Sequence, residues 1–217
     1  AFSRWPELVP YGSDFSEFPV FQYGYLRVQL FFLISGFVIL MSLEKSDTIL
    51  TFVYRRWLRL FPAMLVCSLF IYFTAGIFSE RPNGQPEVGD VLVGLSFIDP
   101  YIWLKTIGVE LHSIEEAFWS LYVEFKFYII AAILYFFIGS RRLVYALFFC
   151  FISWALLDYL SQDSSLKIIS LSYSVATILS FKYFGWFAAG AAYYLYVKEN
   201  KTQWLICGLK LEPHTNI

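Results

Sequence analysis

Residues 117–138 read AFWSLYVEFKFYIIAAILYFFI, and this stretch decides the fold. Its only charged residues are Glu124 and Lys126. An α-helix needs about 20 mainly apolar residues to cross the hydrocarbon core of a bilayer, and this run supplies them. Working outward, residues 20–43, 61–78 and 143–160 form three further runs of the same kind. Residues 168–197 are also apolar but are interrupted by Lys182. That stretch is too long for one span and predicts two short helices broken near Phe181, Lys182 and Tyr183. The expectation is an all-α, polytopic transmembrane bundle of five or six spans, forming a single domain over residues 1–217. A soluble protein with a large buried helical core is the alternative. Repeated long apolar runs separated by short charged loops argue against it.

Composition agrees. Hydrophobic residues make up 59% of the chain and charged residues 15%, where ordinary soluble domains carry about 45–50% and about 25%. The net charge of -1 gives no basic excess for nucleic acid. Cys67, Cys150 and Cys207 are isolated in apolar surroundings, which favours neither a disulfide framework nor a zinc site. His112 and His214, the only histidines, do not make a metal centre. The chain opens on AFSRWPELVP, which has no apolar signal-peptide core, and closes on the polar KLEPHTNI. Both ends read as cut, so a truncated domain is expected.

Lysine and arginine in short loops orient the spans. Lys45, Arg55, Arg56 and Arg59 lie between the first two runs, and Arg141 and Arg142 between the third and fourth. These belong on the cytoplasmic side. Residues 79–116, with seven acidic side chains against Arg81 and Lys105, then fall outside, as do residues 1–19. Two passes in the last stretch would put Lys198 and Lys201 outside, against the rule. Pro82, Asn83, Gly84 and Pro86 read as turns, and residues 89–98 as a short interfacial helix.

Charges within spans cost roughly 2.5–3.5 kcal/mol each on insertion scales, so they are the first candidates for function. Ser120, Glu124 and Tyr128 share a helix face at i, i+4 and i+8, with Trp119 a turn before the carboxylate. This polar strip suits proton transfer or a hydrogen bond to a substrate hydroxyl; a structural ion pair is the bland alternative. Arg27, Phe31 and Ser35 share another face, and Arg27 stands at a depth where it could pair with Glu124 or snorkel to the interface. Arg55 and Arg59 lie one turn apart in YRRWLRLFP, residues 54–62, where Pro62 is expected early in the span. Their planar forks suit phosphate; anchoring to anionic lipid is the alternative. Ser35 as a nucleophile needs a base that the neighbouring sequence does not offer, so Ser35 and Gly36 read first as small packing residues. Lys126 lies off the Glu124 face, and His112 reads as a solvated loop residue.

These segments together resemble the integral-membrane acyltransferase 3 family, related to O-antigen and peptidoglycan O-acetyltransferases. LRVQLFFLISGFVI resembles the family's FFxxSGF element, FVYRRWLRLFP its RRxxRxxP element, and AFWSLYVEFKFYI its WSLxxExxFY element. The resemblance runs from Gly24 through the third run; beyond Gly139 only hydropathy fits. It implies a complete bundle of about ten helices that transfers an acyl group, often acetyl from cytoplasmic acetyl-CoA, to a carbohydrate hydroxyl of the bacterial envelope. Acyl-CoA is then a donor substrate, not a resident cofactor, and the partners are envelope polysaccharide or lipid-linked sugar and membrane lipid. On this resemblance Arg55, Arg56 and Arg59 hold the donor. Glu124, Ser120 and Trp119 fall in the central cavity as catalytic candidates. Ser35, Gly36 and Phe37 support it; Arg27 and Tyr128, read from their helix faces, are counted with them, and no metal is expected.

Two departures stand out. Arg27 and Gln29 occupy positions where family members commonly carry a small residue and an acid. The family's catalytic histidine belongs to a first helix upstream of this sequence, and His112 does not match it. The sequence alone is therefore expected to be inactive, with the histidine of a longer parent acting as general base or transient acyl carrier. A carrier or flippase for a polar or anionic solute, lined by Arg27, Glu124 and Lys126, is the rival reading, and a non-catalytic assembly subunit a second.

Overall fold

The computed structural model describes residues 26–77, 84–163 and 166–210. Eight α-helices occur among them: α1 (Leu26–Leu43), α2 (Ile49–Thr74), α3 (Val88–Ser96), α4 (Pro100–Ile107), α5 (Trp119–Ile138), α6 (Ser140–Asp163), α7 (Lys167–Ile178) and α8 (Phe184–Lys210). No strand occurs among the described residues. Four helical stretches are long and apolar enough to cross a membrane: Leu26–Leu43, Ile49–Ile77, Glu116–Ile138 and Ser140–Gln162. A fifth span is broken, Lys167–Ile178 and Phe181–Asn200 meeting at 64°. The expected placement of residues 1–19, and of a span start before Leu26, lies outside the described residues.

The second span differs from expectation. Its helix begins at Ile49, where the Thr48 hydroxyl accepts the Thr51 N–H at 3.2 Å, and not near Phe61. Twenty-nine residues run to Ile77, about 43 Å at 1.5 Å each, against a hydrocarbon core of about 30 Å. The basic cluster therefore occupies a helical extension ahead of the apolar section. Pro62 sits in the helix interior, not in its first turn. It removes the bond that would reach the Leu58 carbonyl.

The last stretch is one broken pass, not two complete ones. Lys198 Nζ and the Tyr194 hydroxyl both donate to Glu44 Oε2 at 2.7 Å, and Arg141 pairs with Glu199 at 2.8 Å. Lys198 thus shares an end of the bundle with Lys45, Arg141 and Arg142, and the charge rule is obeyed. The break begins at Ser180, a buried non-glycine residue at φ 63. A helix cannot continue through a left-handed residue, so the Ile178 carbonyl is released from the ladder. Lys126 Nζ takes it at 2.9 Å, together with Ser180 Oγ and Asp99 Oδ2, both at 3.3 Å.

α1 and α8 run parallel and nearly touch. A Cβ on Gly36 would stand 2.0 Å from the Phe187 carbonyl oxygen, and one on Gly190 1.8 Å from that of Leu33. Small residues allow such approach where no hydrophobic force drives helices together in lipid. Phe32, Phe127, Phe184 and Phe187 fill the space beside this seam, with Phe127 stacked on Phe187 at 3.8 Å between centroids. A second apolar cluster, Met64, Val93, Phe97, Ile114, Phe118 and Tyr122, seats α3 on α2 and α5. Asp90 organises that loop region: its carboxylate accepts from the Glu87 N–H at 2.9 Å and the His112 N–H at 2.7 Å.

Gly190→Val should lower the stability of the detergent-solubilised protein by about 3 kcal/mol or more, because the obstructing atoms are backbone and cannot turn aside. Gly76→Ala, with nothing within 4 Å of the added carbon, should be tolerated; thermal unfolding of both variants checks this. Single cysteines at Lys198 and Arg142 should label from the same membrane face, and one at Lys167 from the other. Labelling of Lys198 and Lys167 positions from one face would refute the broken-pass topology.

Candidate functional site

Three spans converge on one carboxylate. Glu124 of α5 is only 4% exposed. Its Oε1 accepts from the Tyr128 hydroxyl at 2.6 Å, one turn along the same helix, and from Ser35 Oγ of α1 at 2.7 Å. Gly36 and Ser35 are neighbours with different tasks: the glycine abuts α8 and the serine faces α5. Oε2 is buried and has no hydrogen-bond partner among the described residues. A carboxylate offers about four lone-pair positions, and leaving a buried acceptor unsatisfied costs about 1–3 kcal/mol. A buried oxygen of this kind asks for a partner, whether a water, an ion or a substrate group.

Arg56 of α2 completes the cluster. It is 6% exposed, its Nη2 donates to the Val38 carbonyl at 3.1 Å, and its guanidinium carbon lies 5.5 Å from the ring centres of both Phe52 and Tyr128. The aromatic faces attract the cation and hold it in place. Phe52, Arg56, Met64 and Ser68 form the buried row of α2, all at multiples of four. Arg55 and Arg59 fall off that row and are exposed. The pair that sequence spacing joined is thus the outward pair, and the inward arginine is the one between them. The four-residue row was the available signal.

Other candidates separate from the carboxylate. The Ser120 hydroxyl donates to its own turn, the Ala117 carbonyl, at 3.3 Å. Trp119 is 40% exposed and packs against Phe32 and Tyr183 at 6.1 and 5.4 Å. Phe37 turns to α8, with Tyr194 at 5.3 Å. Arg27 is exposed, and eight residues of α1, about 12 Å of rise, separate it from Ser35. The considered pairing of Arg27 with Glu124 is not the arrangement found, since Ser35 and Tyr128 hold Oε1 and Oε2 has no hydrogen-bond partner among the described residues. Ser35, which has no acidic or basic neighbour in its own stretch, meets a carboxylate 89 positions away. Among the described residues no three His, Cys, Asp or Glu side chains gather as metal ligands.

Comparison with known proteins bears on what this cluster serves. A family model described as an acyltransferase domain, acyltransferase 3, matches residues 4–209. A Shigella phage Sf6 protein named O-acetyl transferase is 26% identical over 144 residues, covering 64% of this chain and 43% of that protein. A Streptomyces mycarofaciens protein named acyltransferase MdmB is 32% identical over 107 residues, covering 49% of this chain and 27% of that protein. The chain therefore matches less than half the length of either relative. No solved structure matches. A family match over almost the whole sequence, on a bundle with this many apolar spans, settles membership: the chain belongs to the acyltransferase 3 family and is a multi-pass membrane protein.

Proposed function

We propose that the full-length protein transfers an acyl group, acetyl first among the candidates, from acyl-CoA to a carbohydrate hydroxyl of the cell envelope. The observation that carries this reading is Oε2 of Glu124, a buried acceptor with no hydrogen-bond partner among the described residues and already oriented through its other oxygen. In the reaction the acceptor oxygen attacks the thioester carbonyl. A carbon–oxygen bond forms, the carbon–sulfur bond breaks, and the hydroxyl proton ends on the departing thiolate of CoA. Oε2 takes the hydrogen bond that orients either the acceptor hydroxyl or the general base that deprotonates it. Ser35 and Tyr128 keep the carboxylate from rotating away, and Arg56 supplies positive charge to the same cluster. The relatives' printed names, O-acetyl transferase and acyltransferase, support the reaction class.

The donor belongs at the basic end. Arg55 and Arg59 are exposed there, and guanidinium forks match the phosphates of acyl-CoA. On this reading that end is the cytoplasmic one, as the charge rule favours, and the protein works in the cytoplasmic membrane of a bacterium with α3 and α4 on the outer side. Ser120 and Trp119 lie one turn before Glu124 on α5, where an acceptor approaching from that end would pass them.

The test uses membranes containing the full-length protein, labelled acetyl-CoA and envelope saccharide. Glu124→Gln keeps the shape of the side chain but removes its charge and should lower label incorporation by about 100-fold or more at equal protein level. Tyr128→Phe, which removes one of the two donors to Oε1, should cause a smaller loss. Arg55→Ala should act on the KM for acetyl-CoA more than on kcat. Full incorporation by Glu124→Gln would sink the assignment of this carboxylate.

A further inference from the structure

A second site opens on the other side of α5. A cleft of about 360 Å³ lies between α4, α5 and α7, on the side of α5 away from Glu124. Its floor is the Lys126–Asp99 ion pair with Ser180. Its walls carry Tyr101 from α4 and Tyr173, Ser174 and Thr177 from α7. Asp99 is doubly committed, since Oδ1 also accepts the Tyr101 N–H at 3.0 Å and so starts α4. Ser174 Oγ donates to the Ser170 carbonyl at 2.8 Å, which leaves its lone pairs available as acceptors.

The chemistry of this lining selects its ligand. Its two charged groups neutralise each other, so neither an anion nor a cation is favoured. What remains is a mainly apolar lining, Ile102 and Ile178 beside the two tyrosines, edged by the hydroxyls of Ser174, Thr177 and Ser180. Such a surface suits a sugar: hydroxyl groups exchange hydrogen bonds with the ring substituents, and the aromatic faces cover the apolar C–H faces of the pyranose. The volume falls in the range of small-ligand sites, about 300–1,000 Å³.

Placement narrows the inference. Glu124 and Lys126 are two positions apart on one helix, so their side chains leave it about 200° apart. A sugar in the cleft cannot also present its hydroxyl to Glu124. We propose that the cleft is an anchoring subsite for a saccharide unit of the acceptor other than the unit that is acylated. The proposal rests on the acyl-transfer reading for its role in turnover but not for binding itself. Ile168, Leu171 and Val175 of α7, exposed by 80%, 68% and 48%, form an apolar flank beside the cleft. A lipid-linked saccharide and a released one share the recognised chemistry, and the experiment separates them.

The first arm needs no turnover. The full-length protein carries Ser174→Cys, with Cys67, Cys150 and Cys207 changed to alanine, in vesicles whose outer protein face is accessible. Labelling by a membrane-impermeant maleimide is timed with the host's envelope saccharides, supplied as released oligosaccharide in water or as lipid-linked saccharide in the bilayer. Slowing of about fivefold or more by either form is expected, and the protecting form identifies the source. Unchanged labelling with both overturns the subsite even if acyl transfer is intact. In the second arm, Tyr173→Ala should raise the KM for oligosaccharide acceptors about tenfold and not that for a single-sugar acceptor. An equal change for both, or none, overturns the anchoring role. Absence of transfer to any acceptor by the unaltered protein, with protection still seen in the first arm, would reject the acyl-transfer reading and leave the saccharide site standing.

Discussion

The backbone contact between α1 and α8 is the constraint on which the rest depends. Gly36 and Gly190 let each helix rest directly on the other's carbonyls. In lipid, apolar side chains gain nothing by leaving their surroundings, so association depends on close packing and on hydrogen bonds. The glycine seam supplies the first. It also fixes the rotation of α1 about its axis. Once Gly36 is turned to α8, Ser35 must point about 100° away, and that direction is α5. The hydrogen bond from Ser35 to Glu124 follows from the seam.

The same economy of polar groups explains the broken span. A left-handed residue inside the membrane region frees carbonyls that no water can satisfy, and irregular backbone at that depth survives only where protein covers it. Lys126 provides the cover. It reaches the Ile178 carbonyl, the Ser180 hydroxyl and the Asp99 carboxylate, and so joins α5, the break and the segment between α3 and α4 at one nitrogen. A lysine with three oxygens around it suffers far less in a membrane than an isolated one. The cleft beside it depends on this junction, because without the break α7 would continue the line of α8 and the walls would not face each other.

Much of this was legible in the sequence, and the misses have physical causes. Long apolar runs gave the all-α bundle, the four clear spans and the break at Phe181–Tyr183, because burial in lipid demands length and composition more than pattern. The start of α2 was missed because its first three turns carry charges; helix propensity and the Thr48 cap extend a helix well past the apolar section. The single broken pass could not be read from residues 168–197 alone, since the deciding contacts come from Glu44 and Arg141, far away in the chain. Spacing along α5 put Glu124 and Tyr128 together correctly. It could not find Ser35, because a contact across 89 positions leaves no periodic trace.

The arginine cluster shows what a local reading loses. Arg55 and Arg59 look like the functional pair because they are one turn apart, yet helix faces are set by what a row contains along its whole length. Phe52, Met64 and Ser68 place their row against the bundle, and Arg56 goes inward with them. A guanidinium there is held by two aromatic faces and a carbonyl, so it is positioned before any substrate arrives. The two outward arginines stay exposed, where they could follow the phosphates of the proposed donor. One turn of α2 thus separates two tasks: a fixed charge beside the buried carboxylate, and adaptable charges at the surface. The reaction proposed above, from a soluble, polyanionic donor to a neutral hydroxyl inside a membrane protein, would need both, on side chains that do not compete.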